Sequence, residues 1–203
     1  MNTKLKPAPL LAVLGSGEAL AAQTAWCPSQ LAHLPWVAHA LRAQAAQERG
    51  HAAMATAALA LVGTGTRTPD IAHELRQHLN RNLDSGSLAA SMLGLQGVVE
   101  HLGEALLESL GSYTHPAATL LHALRVKVVA QGHSHVLLGA RCLQALGTQT
   151  HNTETLEQYR ALGLSDATQV ATLFDDARFD AGLLWANVDA RLTDWRPCAN
   201  AQQ

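Results

Sequence analysis

Glu48 and His51 stand three positions apart in the run Gln47-Glu48-Arg49-Gly50-His51, a spacing that sets a carboxylate and an imidazole on adjacent turns of one helix face. At about 100° per residue, Val37, Leu41, Gln44, Ala55, Ala58 and Val62 fall on the same side. The two polar groups therefore point into an apolar interior. An unpaired charge there is costly, and a metal ion held by one oxygen and one nitrogen is one physical remedy. The run Gln131-Gly132-His133-Ser134-His135 repeats the pattern incompletely. His135 lies in an apolar stripe of Ala117, Leu121, Leu124, Val128, Cys142 and Leu146, whereas His133 and His122 point toward solvent. Superposing the two runs sets Gln131 on Gln47, Gly132 on Glu48 and His135 on His51, so the second carboxylate is missing.

Thirty residues separate Glu18 from Glu48, and thirty-two separate Glu100 from Gly132. Either interval suffices to follow part of one helix, turn and return along the next, so each glutamate can lie opposite its motif. Gln47 and Gln131 are then neighbours able to orient ligating groups. Ordinary packing offers a plainer account, with Glu18 as a surface residue beside Gly15-Ser16-Gly17, and His51 and His135 as core histidines bonded to each other's partners. In the stretch from 88 to 106 the most apolar line is Leu88, Met92, Leu95, Val99, Leu102 and Leu106. Glu100 lies on its flank beside Gln96, and Glu104 and Glu108 fall further round, on an expected solvated face.

The elements that must position these residues are helices. Ala and Leu dominate the apolar content and favour helix over sheet, and no segment alternates as a half-buried strand would. A first helix is expected over 10–25, ending at Cys27-Pro28. Pro35 suits the first turn of a second, which runs to Val62 and stops at Gly63-Thr64-Gly65. A short connecting helix follows over 69–80. Asp84 or Ser85 caps a third long helix ending near Gly111, and a fourth runs from Pro116 to Gly147. The stretch 154–192 reads as one short and one longer helix, with Ser165 or Asp166 capping the latter. Four long helices with peripheral pieces suggest one domain over 1–203, an up-and-down bundle with core 10–147 and one long crossover between helices two and three.

Composition narrows the function classes. The chain has 203 residues, 48% of them hydrophobic and 15% charged, with a formal charge of -2. That excludes a disordered tail and supplies none of the cationic surface that DNA binding requires. Cys27, Cys142 and Cys198 are odd in number and widely spaced, which fits reduced thiols in a cytoplasm. Lys4 and Lys6 before Leu10, Leu11, Ala12, Val13 and Leu14 look like a weak export signal, but Pro7, Pro9, Gly15, Gly17 and Glu18 interrupt it. No run reaches the roughly 18 uncharged apolar residues that span a bilayer. Gly15-Ser16-Gly17 lacks the strand and third glycine of a dinucleotide loop, and Phe174, Phe179, Trp185 and Trp195 read as packing residues.

With Glu18, Glu48-x-x-His51, Glu100 and Gly132-x-x-His135 in this order, the sequence resembles the ferritin-like superfamily of di-iron carboxylate proteins, which includes rubrerythrins, the ribonucleotide reductase small subunit and non-haem di-iron hydroxylases. The segment His133-Ser134-His135-Val136-Leu137-Leu138-Gly139 is also similar to the fourth helix of several members. The resemblance implies an all-α, ferritin-like four-helix bundle with additional C-terminal helices. It implies Glu18, Glu48, His51, Glu100 and His135 as ligands of two irons that react with dioxygen, and an oxidase or hydroxylase acting on a small-molecule or nucleoside-like substrate. Gly132 stands where the family has a glutamate, leaving three carboxylates and putting the second iron in question. The alternative is a ferritin-like scaffold with a degenerate centre that serves as a binding or oligomerisation module. The C-terminal helices would either cap the bundle or form a homodimer contact.

Overall fold

A computed structural model describes residues 7–62, 73–109, 118–146, 152–173 and 186–191. The expected stops at Gly63 to Gly65, Gly111 and Gly147, the start at Pro116, Lys4, Lys6, Cys198 and the four late aromatics lie outside these residues. Among the described residues the chain is all helical: α1 (Pro7–Leu31), α2 (Pro35–Val62), α3 (His73–Asp84), α4 (Leu88–Leu93), a π-helical segment (Gly94–Val99), α5 (Glu100–Ser109), α6 (Ala118–Ala145) and α7 (Asn152–Leu173), with a further helical turn at 186–191. No described helix is long and apolar enough to cross a membrane.

Helix α1 runs past Pro28, beyond the expected stop at Cys27-Pro28. A proline removes one amide donor, here the one that would reach the Thr24 carbonyl, but the helix runs on to Leu31, and Ala32 N–H still reaches the Pro28 carbonyl at 3.0 Å. Helix α2 begins at Pro35 as its fixed φ favours. The two pack antiparallel through small residues: Ala21, Ala25, Ala45 and Ala55 are buried, and a Cβ on Gly15 would sit 3.5 Å from that of Ala55.

The third long helix starts at Leu88, not at Asp84 or Ser85. Asp84 instead closes α3, because Gly86 takes φ +73 and a Schellman pair forms: Gly86 N–H donates to the Leu83 carbonyl and Ser87 N–H to the Asn82 carbonyl, both at 2.9 Å. In α7 no break occurs at Ser165 or Asp166. A cap-type residue ends a helix only where the backbone also turns, and Gly86 is the single described glycine at positive φ.

Helices α4 and α5 join through the π segment without a gap. A π turn carries more residues than an α turn, so every position after it is rotated relative to the phase set by the α period. The buried face moves from Met92, Leu93 and Gln96 to Glu100, Glu104 and Ala105. His101 secures the distortion by donating from Nδ1 to the Gln96 carbonyl at 2.9 Å. Burial, aided by the Arg191 cation, lowers its pKa to about 4, so the imidazole is neutral.

Gln96 faces Gly139 and Glu104 faces Gly132, which makes α6 antiparallel to α5 and its π lead-in. His51 meets Gln131 and Gln47 meets His135, so α6 is antiparallel to α2 as well. Hence α2 and α5 run parallel. One apolar cluster gathers Leu11, Leu14, Leu75, Val98, Leu106, Leu124 and Val128; another gathers Val37, Leu41, Met92, Leu93, Cys142 and Leu143. The polar residues of α1, α2, α5 and α6 lie between these two apolar ends.

Helix α7 caps the assembly rather than standing free. Tyr159 is fully buried, accepts from Asn82 Nδ2 at 2.6 Å and stacks edge-on with His78, their ring centres 4.8 Å apart. Gly94 makes this fit possible, since a Cβ there would run into the Tyr159 ring and lie 2.6 Å from Leu79 Cδ2. Gly94→Ala is therefore expected to destabilise the fold by about 1–3 kcal/mol, read as a lower urea midpoint. An unchanged midpoint would show that α7 does not pack against the π segment.

Candidate metal centre

Each of four helical stretches sends polar side chains to one depth. From α2 come Glu48 and His51, which lie on the same inward face as Val37, Leu41 and Ala55 and retain 2% and 1% of their surface. Helix α1 contributes Glu18, α5 contributes Glu100 and α6 contributes His135. Two sets of donor atoms converge: Glu18, Glu48 and His51 in one, Glu48, Glu100 and His135 in the other, the atoms of each set within 4.8 Å of one another. Glu48 belongs to both. Its Oε2 lies 2.9 Å from His51 Nδ1 and its Oε1 lies 2.6 Å from His135 Nδ1. Glu18 Oε2 is 3.2 Å from His51 Nδ1, and Glu100 Oε2 is 3.5 Å from His135 Nδ1.

The outer face of each imidazole is fixed by a glutamine from the other motif. His51 Nε2–H donates to Gln131 Oε1 at 2.5 Å, and His135 Nε2–H donates to Gln47 Oε1 at 2.6 Å. Each ring is thereby turned so that Nδ1 faces the carboxylates. Gln44 donates to Glu100 Oε1 at 2.7 Å and itself accepts from Gln96 at 2.7 Å. That relay holds one oxygen of Glu100 and leaves the other toward His135.

A divalent cation fits this donor set on an observation of geometry. Glu48 Oε1 and His135 Nδ1 are buried and 2.6 Å apart, yet neither has an aligned hydrogen-bond partner. Two ligand atoms brought close without pointing at one another can both turn lone pairs to a common third atom once His135 gives up its Nδ1 proton, and oxygen with imidazole nitrogen suits iron or manganese.

With protons as its only cations, the cluster shares them unevenly. Burial opposes the charge on Glu48, but His135 and His51 outweigh it and hold its carboxyl down at about 2. Burial pushes Glu18 up to about 8, with Glu48 adding to the rise and His51 opposing it. Glu100 is likewise raised, chiefly by burial and then by Glu48. Burial alone would lower the two imidazoles, but their carboxylate neighbours raise His51 to about 10 and His135 to about 9.

All seven residues singled out in the sequence, Glu18, Gln47, Glu48, His51, Glu100, Gln131 and His135, meet here. Glu100 reaches the centre through the phase change of the π segment, where a straight α helix would leave it on the flank. Glu104 departs from its expected solvated face for the same reason: it is buried, whereas Glu108 is exposed. Burial raises Glu104, with the Arg191 cation acting against the rise. His122 and His133 are exposed, as their phase requires. Gln44 and Gln96 carried a usable signal, since each is an amide on or beside an inward apolar line. Arg191, whose Nη1 donates to Glu104 Oε2 at 2.6 Å, carried none.

No protein-family model matches this chain, and no curated protein matches it in sequence. The buried glutamate and histidine cluster itself resembles a di-iron site.

A cation entering the cluster must displace the protons of Glu18, His51 and His135, which are bound at pH 7 because all three groups titrate above it. Affinity for ferrous or manganous ion is therefore expected to fall as pH drops below about 10, where His51 takes up its proton, and more steeply once His135 and then Glu18 follow near 9 and 8, with proton release on binding. Titration calorimetry in buffers of different ionisation heat measures this. Binding that releases no protons would contradict the assignment.

Proposed function

We propose that the chain is a non-haem di-iron oxidoreductase with a ferritin-like four-helix bundle, a dioxygen-dependent hydroxylase or oxidase of a small molecule. One observation carries the reading: Glu48 divides its two oxygens between His51 and His135 at the meeting point of two buried donor sets. The parallel run of α2 and α5 supports the ferritin-like topology.

When bound, a pair of irons would supply the capacity to reduce dioxygen and oxidise a substrate. The chain's own residues prepare that chemistry. Glu18 with His51 and Glu100 with His135 would hold one ion each, with Glu48 between them. Gln131 and Gln47 keep the imidazole Nδ1 atoms turned inward. The proton held on Glu18 at neutral pH would leave to solvent as a cation arrives, freeing that carboxylate to ligate.

A cavity of about 90 Å³ adjoins the cluster, walled by Val13, Leu14, Leu20, Val99, Leu106 and Val128. Such walls exclude bulk water and favour a small apolar molecule, or the apolar end of one, over a charged substrate. Dioxygen is also apolar and small enough to enter.

Metal analysis after anaerobic loading with ferrous ion tests the proposal. The wild type is expected to hold about two irons per chain and to consume dioxygen when it is admitted. Glu48→Ala should lose both irons, and Gln131→Leu should weaken binding about 10–100-fold. A wild type that takes up no iron and consumes no dioxygen would leave a degenerate scaffold used for binding or oligomerisation.

A further inference from the structure

Gly132 occupies the position where a second glutamate would complete the repeat of Glu48-x-x-His51, and a carboxylate nevertheless lies against it. Glu104 of α5 approaches from the facing helix, so that a Cβ on Gly132 would be 2.7 Å from Glu104 Oε1 and 3.1 Å from its Cγ. Any side chain at 132 would displace Glu104. The glycine and the glutamate are thus one arrangement, in which the carboxylate comes from across the helix interface.

The environment of that carboxylate marks it as more than an ion pair. Glu104 retains only 6% of its surface. Arg191 engages one oxygen, its Nη1 meeting Oε2 at 2.6 Å, while its Nη2 reaches Glu108. Oε1 is buried without a hydrogen-bond partner, a costly state for a carboxylate oxygen whose only purpose is a surface salt bridge. Glu104, Gly132, Glu100, Glu48 and His135 all border one cavity. Glu104 also stands one helical turn beyond Glu100, so the two carboxylates project to the same side.

We propose that Glu104 supplies the carboxylate that Gly132 lacks, joining Glu48, Glu100 and His135 at the second metal position by a side-chain rotation on metal binding, since its oxygens lie outside the set that converges within 4.8 Å. Arg191 is its positioning residue: by holding Oε2 it turns Oε1 toward Gly132. The segment 186–191 is itself anchored, since Val188 is fully buried and Asp189 pairs with Arg160 of α7. The C-terminal part of the chain thereby fixes the geometry of a centre built by the preceding helices. This inference rests on the di-iron reading above.

Anaerobic titration with ferrous ion, repeated with cobalt(II) and followed by its visible absorption, tests the assignment on three proteins. The wild type should bind about two ions per chain. Glu104→Gln, which keeps the shape of the side chain, should retain the ion held by Glu18, Glu48 and His51 while binding the second at least about tenfold more weakly. Retention of that first ion shows that the variant is folded. The double variant Glu104→Ala with Gly132→Glu should recover the second ion, because the new carboxylate enters the space vacated. If Glu104→Gln binds both ions as the wild type does, or if the wild type itself holds only one, the role of Glu104 is overturned while the centre stands. A wild type that binds none would overturn the centre itself.

Discussion

Ionisable groups in an oily interior must be neutralised by something within reach, and in this chain that requirement falls on Glu48. Its two oxygens face His51 and His135 at 2.9 and 2.6 Å, and both neighbours are as deeply buried as it is. Burial by itself would drive Glu48 to its neutral form, but the imidazoles keep it ionised. The other carboxylates, Glu18 and Glu100, have less help and are pushed toward protonation. Such a cluster gives little stability as a set of ion pairs, because desolvation consumes most of the gain. A cation placed among them would satisfy all the donors together.

The surrounding helices serve this convergence by different means. Small residues let α1 and α2 approach closely enough for Glu18 to reach His51. The crossed glutamine bonds, Gln131 to His51 and Gln47 to His135, tie α2 to α6 at the level of the cluster. On the α5 side the π segment does the aiming, and its irregular backbone is held by His101, by the packing of Gln96 on Gly139 and by the Tyr159 ring against Gly94. The approximate two-fold relation between the motifs is broken at Gly132, and the resulting space is filled by Glu104.

Much of the centre was legible in the sequence because α2 and α6 are regular. On a regular helix the α period fixes which residues share a face, so Glu48, His51 and His135 could be placed inward from their apolar neighbours alone. The matching intervals to Glu18 and Glu100 then named the helices opposite. Legibility failed where the backbone departs from that period. The π segment carries no sequence signature separable from an α helix, so Glu104 was assigned to solvent and Glu100 to a flank. Helix ends failed for a related reason: Pro28 and Ser165 look like boundaries, but the helices run through both, because one missing amide donor or one cap-type side chain does not by itself turn the backbone. Arg191 was out of reach, since a contact across 87 positions has no local trace.

Anomalous diffraction at the iron edge, on crystals loaded with ferrous ion without oxygen, tests the central claim most directly. Two peaks should flank the Glu48 carboxylate, one beside Glu18 and His51, the other beside Glu100 and His135. Iron found only at exposed histidines such as His122 or His133, with no peak within ligating distance of Glu48, would contradict it.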